Sequence, residues 1–196
     1  FEFLACEVSQ AMSARFNIKA ADQEAVARLE RAFGLPRFVA ATLVARGIDD
    51  VADARRFLSP SLDRDWLDPY AIPGLSEVAD ALEAAVKRGD HILVFGDFDL
   101  DGISATTVLT RGLRALGATA TPFIPLRFEE GYALSEAAFV RACTLGPDFI
   151  VTVDCGISCK HEAAAIVEAG LGLAITDHHE PADLVPEGVP VADPKC

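Results

Sequence analysis

The chain has 196 residues, of which 51% are hydrophobic, and this suits one domain of ordinary size or a domain with a small helical addition. Its formal net charge of −13 argues against broad attraction to nucleic acid, although bound metal ions can make one site locally positive. No apolar run approaches the roughly 20 residues that span a bilayer, the opening residues lack the basic start of a signal peptide, and the five cysteines form no disulfide framework. We therefore expect a cytoplasmic protein.

The N-terminal part divides into an opening segment and a helical region. Because Met12 is the only methionine, we interpret residues 1–11 as a non-native or upstream extension. Apolar residues then recur at helical spacing over residues 22–58. Residues 12–75 are the predicted helical N-terminal region with its connection.

An irregular connection and a further helix follow. Residues 59–74 are rich in Asp and Pro without any period, and we expect Trp66 and Tyr70 to pin this connection to the body of the protein. Ser76 is the predicted N-cap of the next helix, and Gly89 is its predicted end.

Strands and helices alternate from that helix onward. In chain order, the predicted strands and the helices between them cover residues 91–96, 104–116, 120–124, 135–143, 148–153, 160–169 and 172–175. The strands are continuously apolar, which is typical of a parallel sheet covered on both faces. The predicted fold class is α/β, with a parallel sheet and helices on both faces over residues 76–196.

Acidic and imidazole side chains follow three of the predicted strands. In chain order these residues are Asp97, Asp99, Asp101, Asp154, Asp177, His178 and His179. The carboxyl ends of parallel strands share one edge of a sheet, so we expect the side chains to converge there. Such a density of like charge favours a bound divalent cation, and carboxylates with imidazole suit manganese better than magnesium or zinc. Gly102 lets the backbone close around an ion or phosphate at a helix N-terminus.

Each cluster alone has an ordinary structural explanation. The first could be a solvated acidic turn and Asp154 a strand-end cap, while histidines commonly lie in a core or on a surface. Their joint occurrence at three strand ends favours a functional site.

The three clusters resemble the first three motifs of the DHH phosphoesterase superfamily, in the form found in the RecJ family of single-strand-specific DNA exonucleases. The motifs read GDFDLDG at 96–102, VDCG at 153–156 and DHH at 177–179. Residues 127–135 resemble a RecJ segment between the first two motifs, and the leader ending in residues 57–61 resembles the RecJ N-terminal region. The resemblance covers most of the chain beyond its opening segment.

The resemblance implies a hydrolase with two divalent cations, usually Mn²⁺ and alternatively Mg²⁺. Such an enzyme removes nucleotides from a 5′ end of single-stranded DNA in repair and recombination. The implied partners are single-stranded DNA and, by family resemblance, a single-strand-binding protein and a helicase, with no membrane.

Site residues can be carried over by motif. The implied metal ligands are Asp99, Asp101, Asp154 and His178. Asp97 is either a further ligand or a partner behind the ligands, and Asp154 is the implied bridge between the cations. Asp177 would orient the histidines, and His179 would contact the scissile phosphate, so that Asp154, His178 and His179 are the predicted catalytic residues.

Further substrate contacts are predicted at Gly102, Arg127 and Tyr132. Arg127 could hold a phosphate through two hydrogen bonds, or it could pair with a neighbouring glutamate. Tyr132 could stack on a base, or it could serve in packing.

Two departures from the family pattern bear on the interpretation. The family usually has glycine where Ala133 stands, and the chain ends at Cys196 before a fourth motif that would bring another metal-binding aspartate. We interpret the chain as an incomplete N-terminal part with weak or no activity by itself. Alternatives are an oligoribonuclease or cyclic-dinucleotide phosphodiesterase of the same superfamily, and a non-catalytic scaffold with this fold.

Overall fold

A computed structural model of the protein describes residues 20–196, so the predicted extension at residues 1–11 lies outside the described part. The chain divides into two compact units between Trp66 and Leu67. In the described residues, no helix is long and apolar enough to cross a membrane.

The first unit is helical, as predicted. Its helices are α1 (Gln23–Phe33), α2 (Arg37–Ala45), α3 (Val51–Leu58) and the short α4 (Leu62–Asp65). The side chains of Asp22 and Asp50 accept hydrogen bonds from backbone N–H groups in the first turns of α1 and α3, which satisfies donors that a helix start leaves free. A shared core of buried apolar residues holds α1, α2 and α3 together.

The second unit alternates helices and strands. After a 3₁₀ turn at Pro69–Ala71 its elements are α5 (Leu75–Arg88), β1 (His91–Gly96), α6 (Leu100–Ala115), β2 (Thr119–Phe123), α7 (Arg127–Glu130), α8 (Glu136–Cys143), β3 (Phe149–Val153), α9 (Lys160–Glu168), β4 (Gly172–Thr176) and β5 (Val191–Ala192). The strands form one parallel sheet in the order β2-β1-β3-β4-β5.

The strand order reverses direction between β1 and β3. From β1 the chain moves outward to β2 on one side, then returns to place β3 on the other side. In open parallel sheets the crevice at such a reversal, outside the carboxyl ends of the strands, is where ligands bind. Asp97 and Asp154 follow the two strands that flank this crevice.

Helices cover both faces of the sheet, and this confirms the predicted fold class. On one face Val78 of α5 and Leu113 of α6 pack with Ile92, Val94 and Val151 of the sheet. The opposite face contributes Leu93 and Ile150 to a second core with α8 and α9. Alternate residues of each strand therefore enter different cores, which explains why the strands are apolar throughout.

Two predictions about the connection are wrong. Ser76 does not cap α5: the N-cap is Gly74, and the Ser76 hydroxyl donates to the Glu77 carboxylate inside the first turn. Trp66 and Tyr70 do not pin the connection, because their side chains are 70% and 66% exposed. Local hydrogen bonds from backbone N–H groups to carboxylates shape the connection instead. For example, the Asp68 carboxylate accepts a hydrogen bond from the Tyr70 N–H.

Gly74 shows why a glycine and not a serine begins α5. Its φ is +73°, and a Cβ built there would lie 1.8 Å from the carbonyl oxygen of Val191 in β5. The start of α5 therefore rests directly on the backbone of the edge strand, and only glycine permits this approach.

We predict that Gly74→Ala lowers the free energy of unfolding by more than about 2 kcal/mol, since it adds a backbone clash to the cost of a left-handed alanine. Gly89→Ala is the matched control: Gly89 has φ +79° with nothing within 4 Å of a built Cβ, so the loss should be about 1 kcal/mol. Urea denaturation of both variants measures the difference. Equal losses of unfolding free energy in the two variants would show that the close approach of Gly74 to β5 does not contribute to stability.

Candidate metal centre

The first part of the site is the corner between β1 and α6. Asp97 directly follows the strand and is 3% exposed, and its Oδ1 has no hydrogen-bond partner among residues 20–196. Buried carboxylate oxygens are normally hydrogen-bonded or bound to a cation. The unpartnered oxygen of Asp97 therefore fits the chemistry of a metal ligand.

Asp99 is the N-cap of α6. Its Oδ1 accepts from the N–H groups of Asp101 at 2.9 Å and Gly102 at 3.1 Å. The Gly102 N–H is the main cause that holds the pKa of Asp99 below its ordinary value. Asp99 therefore carries its charge at the positive end of a helix, which stabilises it there.

Two glycines allow α6 to approach the end of β1. A Cβ on Gly96 would lie 1.8 Å from Oγ1 of Thr106, and one on Gly102 would lie 2.4 Å from the Asp97 carbonyl oxygen. Both distances are far shorter than any real contact, so neither position tolerates a side chain without movement of α6. The glycines at both ends of the GDFDLDG motif thus set the distance between Asp97 and the helix N-terminus.

Asp154 follows β3 in a left-handed conformation with φ +62°, which is uncommon for a residue other than glycine. Such backbone strain at a site is retained only where the surroundings enforce it. The Asp154 N–H donates to the Thr176 carbonyl, and its Oδ1 lies 2.8 Å from Nε2 of His178. Burial, and secondly the charge of Asp99, raise the pKa of Asp154.

Asp177 ties the third motif to the second. Its Oδ2 accepts from the Ile157 N–H at 2.9 Å, and its Oδ1 accepts from the N–H of His178 and lies 2.7 Å from Nδ1 of His179. Burial alone would raise the pKa of Asp177, but these hydrogen bonds outweigh it and lower the pKa. The bond to Asp177 in turn raises the pKa of His179. Asp177 thus has the position expected of a residue that orients the histidine pair.

Two groups of side chains are close enough to hold metal ions, with all ligand atoms of each group within 4.8 Å of one another. One group is Asp97, Asp99 and Asp154, and the other is Asp154, His178 and His179. Asp154 belongs to both. Oxygen and imidazole donors in this arrangement fit a pair of divalent cations that share one carboxylate.

A cavity of about 550 Å³ opens beside these residues. Its floor is made by the ends of β3 and β4, with Asp154, Asp177 and His178 at the polar side. The walls are apolar side chains of α5 and α6, including Leu82 and Val108. Asp154 and Asp177 therefore lie at the edge of a cleft that is open to solvent and has apolar walls.

The structure places one predicted ligand, Asp101, outside the two ligand groups. Asp101 belongs to neither group; it is exposed in the first turn of α6 and lines the cavity. Cys155 is buried below the site with its Sγ 3.9 Å from the Phe95 carbonyl oxygen, and burial raises its pKa well above the usual value. Cys155 belongs to neither ligand group, and its burial is typical of a packing residue.

Arg127 and Tyr132 both contact Phe98, a residue that the sequence did not single out. The Arg127 guanidinium carbon lies 4.4 Å from the Phe98 ring centre, and the Tyr132 ring meets Phe98 edge-on at 6.1 Å. Burial and the charge of Asp97 raise the pKa of Tyr132 to about 12, so its hydroxyl stays protonated. Ala133 has φ +54°, the left-handed conformation for which glycine is favoured.

Comparison with family models shows the class of protein to which the chain belongs. Residues 91–196 match the family model described as DHH family, N-terminal domain, and this range contains all three motifs. The chain belongs to the DHH family.

Particular relatives within that class are RecJ proteins. The chain is 39% identical over 181 residues to the single-stranded-DNA-specific exonuclease RecJ of Bacillus subtilis (strain 168), covering 92% of this chain and 23% of the relative. It is 43% identical over 129 residues to the RecJ of Thermus thermophilus, covering 64% of this chain and 19% of the relative. The chain thus spans about a quarter or less of the length of these two relatives. The family resemblance inferred from the motifs is confirmed.

Solved structures give the same result. A crystal structure of exonuclease RecJ bound to manganese aligns with a TM-score of 0.58 at 41% identity, over 63% of this chain and 31% of that chain. A crystal structure of RecJ in complex with Mn²⁺ from Thermus thermophilus aligns with a TM-score of 0.60 at 32% identity, over 90% of this chain and 24% of that chain.

We predict that Asp154→Asn stabilises the metal-free protein at neutral pH by about 1 kcal/mol, because it removes a buried charge beside Asp99 and asparagine tolerates the left-handed backbone. A carboxyl with a raised pKa destabilises the fold increasingly as pH rises from its unfolded pKa through its folded pKa. The advantage of the variant should therefore shrink toward pH 4. Thermal unfolding in a chelator at several pH values measures it.

Asp183→Asn, an exposed aspartate in the segment after β4, is the matched control and should leave stability unchanged. A variant at position 154 that is less stable than the wild type at neutral pH would contradict the electrostatic explanation.

Proposed function

We propose that the whole protein is a metal-dependent phosphodiesterase that removes nucleotides from the 5′ end of single-stranded DNA. The observation that carries this proposal is the membership of Asp154 in two ligand groups at once. A carboxylate shared by two cations is the arrangement that suits hydrolysis of a phosphodiester by in-line displacement. Because the chain spans about a quarter of the Bacillus relative, the activity is proposed for the whole protein.

The residues present fit two divalent cations. Asp97 and Asp99 would hold one and His178 the other, with Asp154 between them, and His179 lies close to the second group. Mn²⁺ suits the mixed oxygen and nitrogen donors, and Mg²⁺ is the alternative. The RecJ structures that the chain resembles are bound to manganese. When bound, such a pair of cations lowers the pKa of a shared water and offsets charge on the phosphate oxygens.

The side chains around the cations have distinct proposed roles. Asp177 fixes the ring of His179 through Nδ1, so that Nε2 is the atom left to meet a cation or the scissile phosphate. Asp101 stays a proposed ligand, and its position at the cavity edge suits a contact through water. Gly102 brings the N-terminus of α6 against the site without a side chain in the way.

Local charge explains how an acidic protein can hold a phosphate. The four carboxylates proposed as ligands, those of Asp97, Asp99, Asp101 and Asp154, contribute −4, and two divalent cations contribute about +4, so the loaded centre no longer repels a phosphate as the bare carboxylates would. Arg127 adds a further cation beside the first motif, where it would contact a phosphate of the strand, and Tyr132 would contact a base. The overall charge of −13 still disfavours binding of long nucleic acid elsewhere on the chain.

RecJ relatives are named as single-stranded-DNA-specific exonucleases, and this name supports DNA as the substrate. On this basis we propose a role in DNA repair and recombination in the cytoplasm. A single-strand-binding protein and a helicase are proposed as partners, because an exonuclease of this type requires single strands to be generated and kept open.

The test is metal-dependent cleavage by the whole protein. We expect Mn²⁺-dependent release of nucleotides from 5′-phosphorylated single-stranded DNA, with Asp154→Asn slower by at least about a thousandfold, since both cation sites lose a charged ligand. Duplex DNA of the same sequence and a dinucleotide are offered as competing substrates. The products are then separated and quantified by chromatography.

Preference for the dinucleotide would move the protein to the oligoribonuclease or cyclic-dinucleotide branch of the superfamily. Absence of metal-dependent cleavage of every substrate would contradict the enzyme and favour a scaffold. Full activity in Asp154→Asn would contradict the role of the shared carboxylate.

A further inference from the structure

Phe98 stands between Asp97 and Asp99 in the first motif, and it is partly buried. The two described aromatic and cationic contacts of its ring are with Arg127 and Tyr132, which belong to the segment after β2. Phe98 thus connects the loop that carries the carboxylates to the segment that carries the proposed substrate contacts.

The contact with Phe98 leaves Arg127 able to bind a ligand. A guanidinium stacked on a ring contacts the ring through the planar face of the guanidinium. The N–H donors at the edge of the guanidinium therefore remain available to a ligand. Among the described residues Arg127 forms no ion pair, and Glu130 in the same short helix is already bound by Arg141 and the Leu126 N–H. The alternative pairing of Arg127 with this glutamate is therefore not what the structure shows.

The segment around Tyr132 forms a tight turn. Gly131 and Ala133 on either side have φ of +87° and +54°, and the Tyr132 ring meets Phe98 from this turn. The Ser135 hydroxyl donates to the Glu130 carbonyl and closes the turn. Arg127 and Tyr132 therefore reach Phe98 from α7 and from the turn that follows it.

We propose that Phe98 is a positioning residue, which holds Arg127 and Tyr132 at a fixed place beside the metal-binding carboxylates so that they meet the terminal nucleotide of the bound strand. The inference rests on the proposed function, since it assigns how the same site grips its substrate. The ring acts through Arg127 and Tyr132 and does not itself contact the reacting atoms.

The test is a double-mutant cycle in the whole protein with 5′-phosphorylated single-stranded DNA. Phe98→Leu and Arg127→Gln should each raise KM about tenfold, with kcat within about twofold of the wild type. The double variant should raise KM by clearly less than the roughly hundredfold product of the two single effects, because the part of the Phe98 effect that acts through Arg127 is already lost in Arg127→Gln. Phe98→Tyr keeps the ring and should restore KM to within about twofold.

Two controls separate positioning from structural damage. Mn²⁺ affinity should be unchanged in Phe98→Leu and the thermal unfolding midpoint should fall only slightly, through loss of the two ring contacts, whereas a disturbed metal loop would lower Mn²⁺ affinity as well. Phe128→Leu removes a 96% exposed ring from the same short helix as Arg127 and should leave KM unchanged.

Four results would overturn the inference. The first two are fully additive effects of Phe98→Leu and Arg127→Gln on KM, and an Arg127→Gln protein whose KM equals that of the wild type. The other two are a KM rise in Phe128→Leu equal to that in Phe98→Leu, and a Phe98→Leu protein with lower kcat or Mn²⁺ affinity but unchanged KM. A wild-type protein that cleaves no DNA would instead refute the proposed function. An active wild-type enzyme whose KM does not change in Phe98→Leu would refute only the present inference.

Discussion

Three carboxylates, those of Asp97, Asp99 and Asp154, meet where β1 and β3 end side by side, and each repels the other two. The raised pKa of Asp154 and the unpartnered oxygen of Asp97 are two consequences of that repulsion and burial. The remaining architecture of the second unit holds these groups together despite the electrostatic cost. The N-terminus of α6 stabilises Asp99, and a left-handed turn keeps Asp154 in place.

The same constraint explains the conformation of the third motif. Asp177 is committed to backbone N–H groups and to the ring of His179, so it is a structural anion whose charge is already matched. His178 is drawn onto Asp154, with Nε2 within hydrogen-bond distance of the carboxylate. The histidines therefore lie next to the carboxylate cluster, with Asp154 as the residue common to both groups.

Much of this organisation could be predicted from the sequence because it follows from local patterns. Continuous apolar runs locate β1, β3 and β4, and the rule that parallel strands end at one edge brings the three motifs together. The pattern contains no sign of β5, which has only two residues and pairs with β4 through an edge that the sequence cannot reveal.

The failures have a common cause, since each depends on a contact between residues distant in sequence. Gly74 replaces Ser76 as the N-cap because α5 must approach the backbone of β5. The sequence does contain a signal for Phe98, because it is an aromatic residue between two acidic ones, and an arginine and a tyrosine follow in the segment after β2. The contact itself is visible only in the structure, where the Arg127 guanidinium lies over the Phe98 ring.

The sharing of one carboxylate between two cations is tested most directly by counting bound manganese. Free Mn²⁺ can be followed by electron paramagnetic resonance while the protein is titrated, with Asp183→Asn as the charge-matched control. The account predicts two Mn²⁺ ions per chain in the wild type and in the control, and loss of affinity at both sites in Asp154→Asn. A single ion in the wild type, or one site of undiminished affinity in Asp154→Asn, would contradict it.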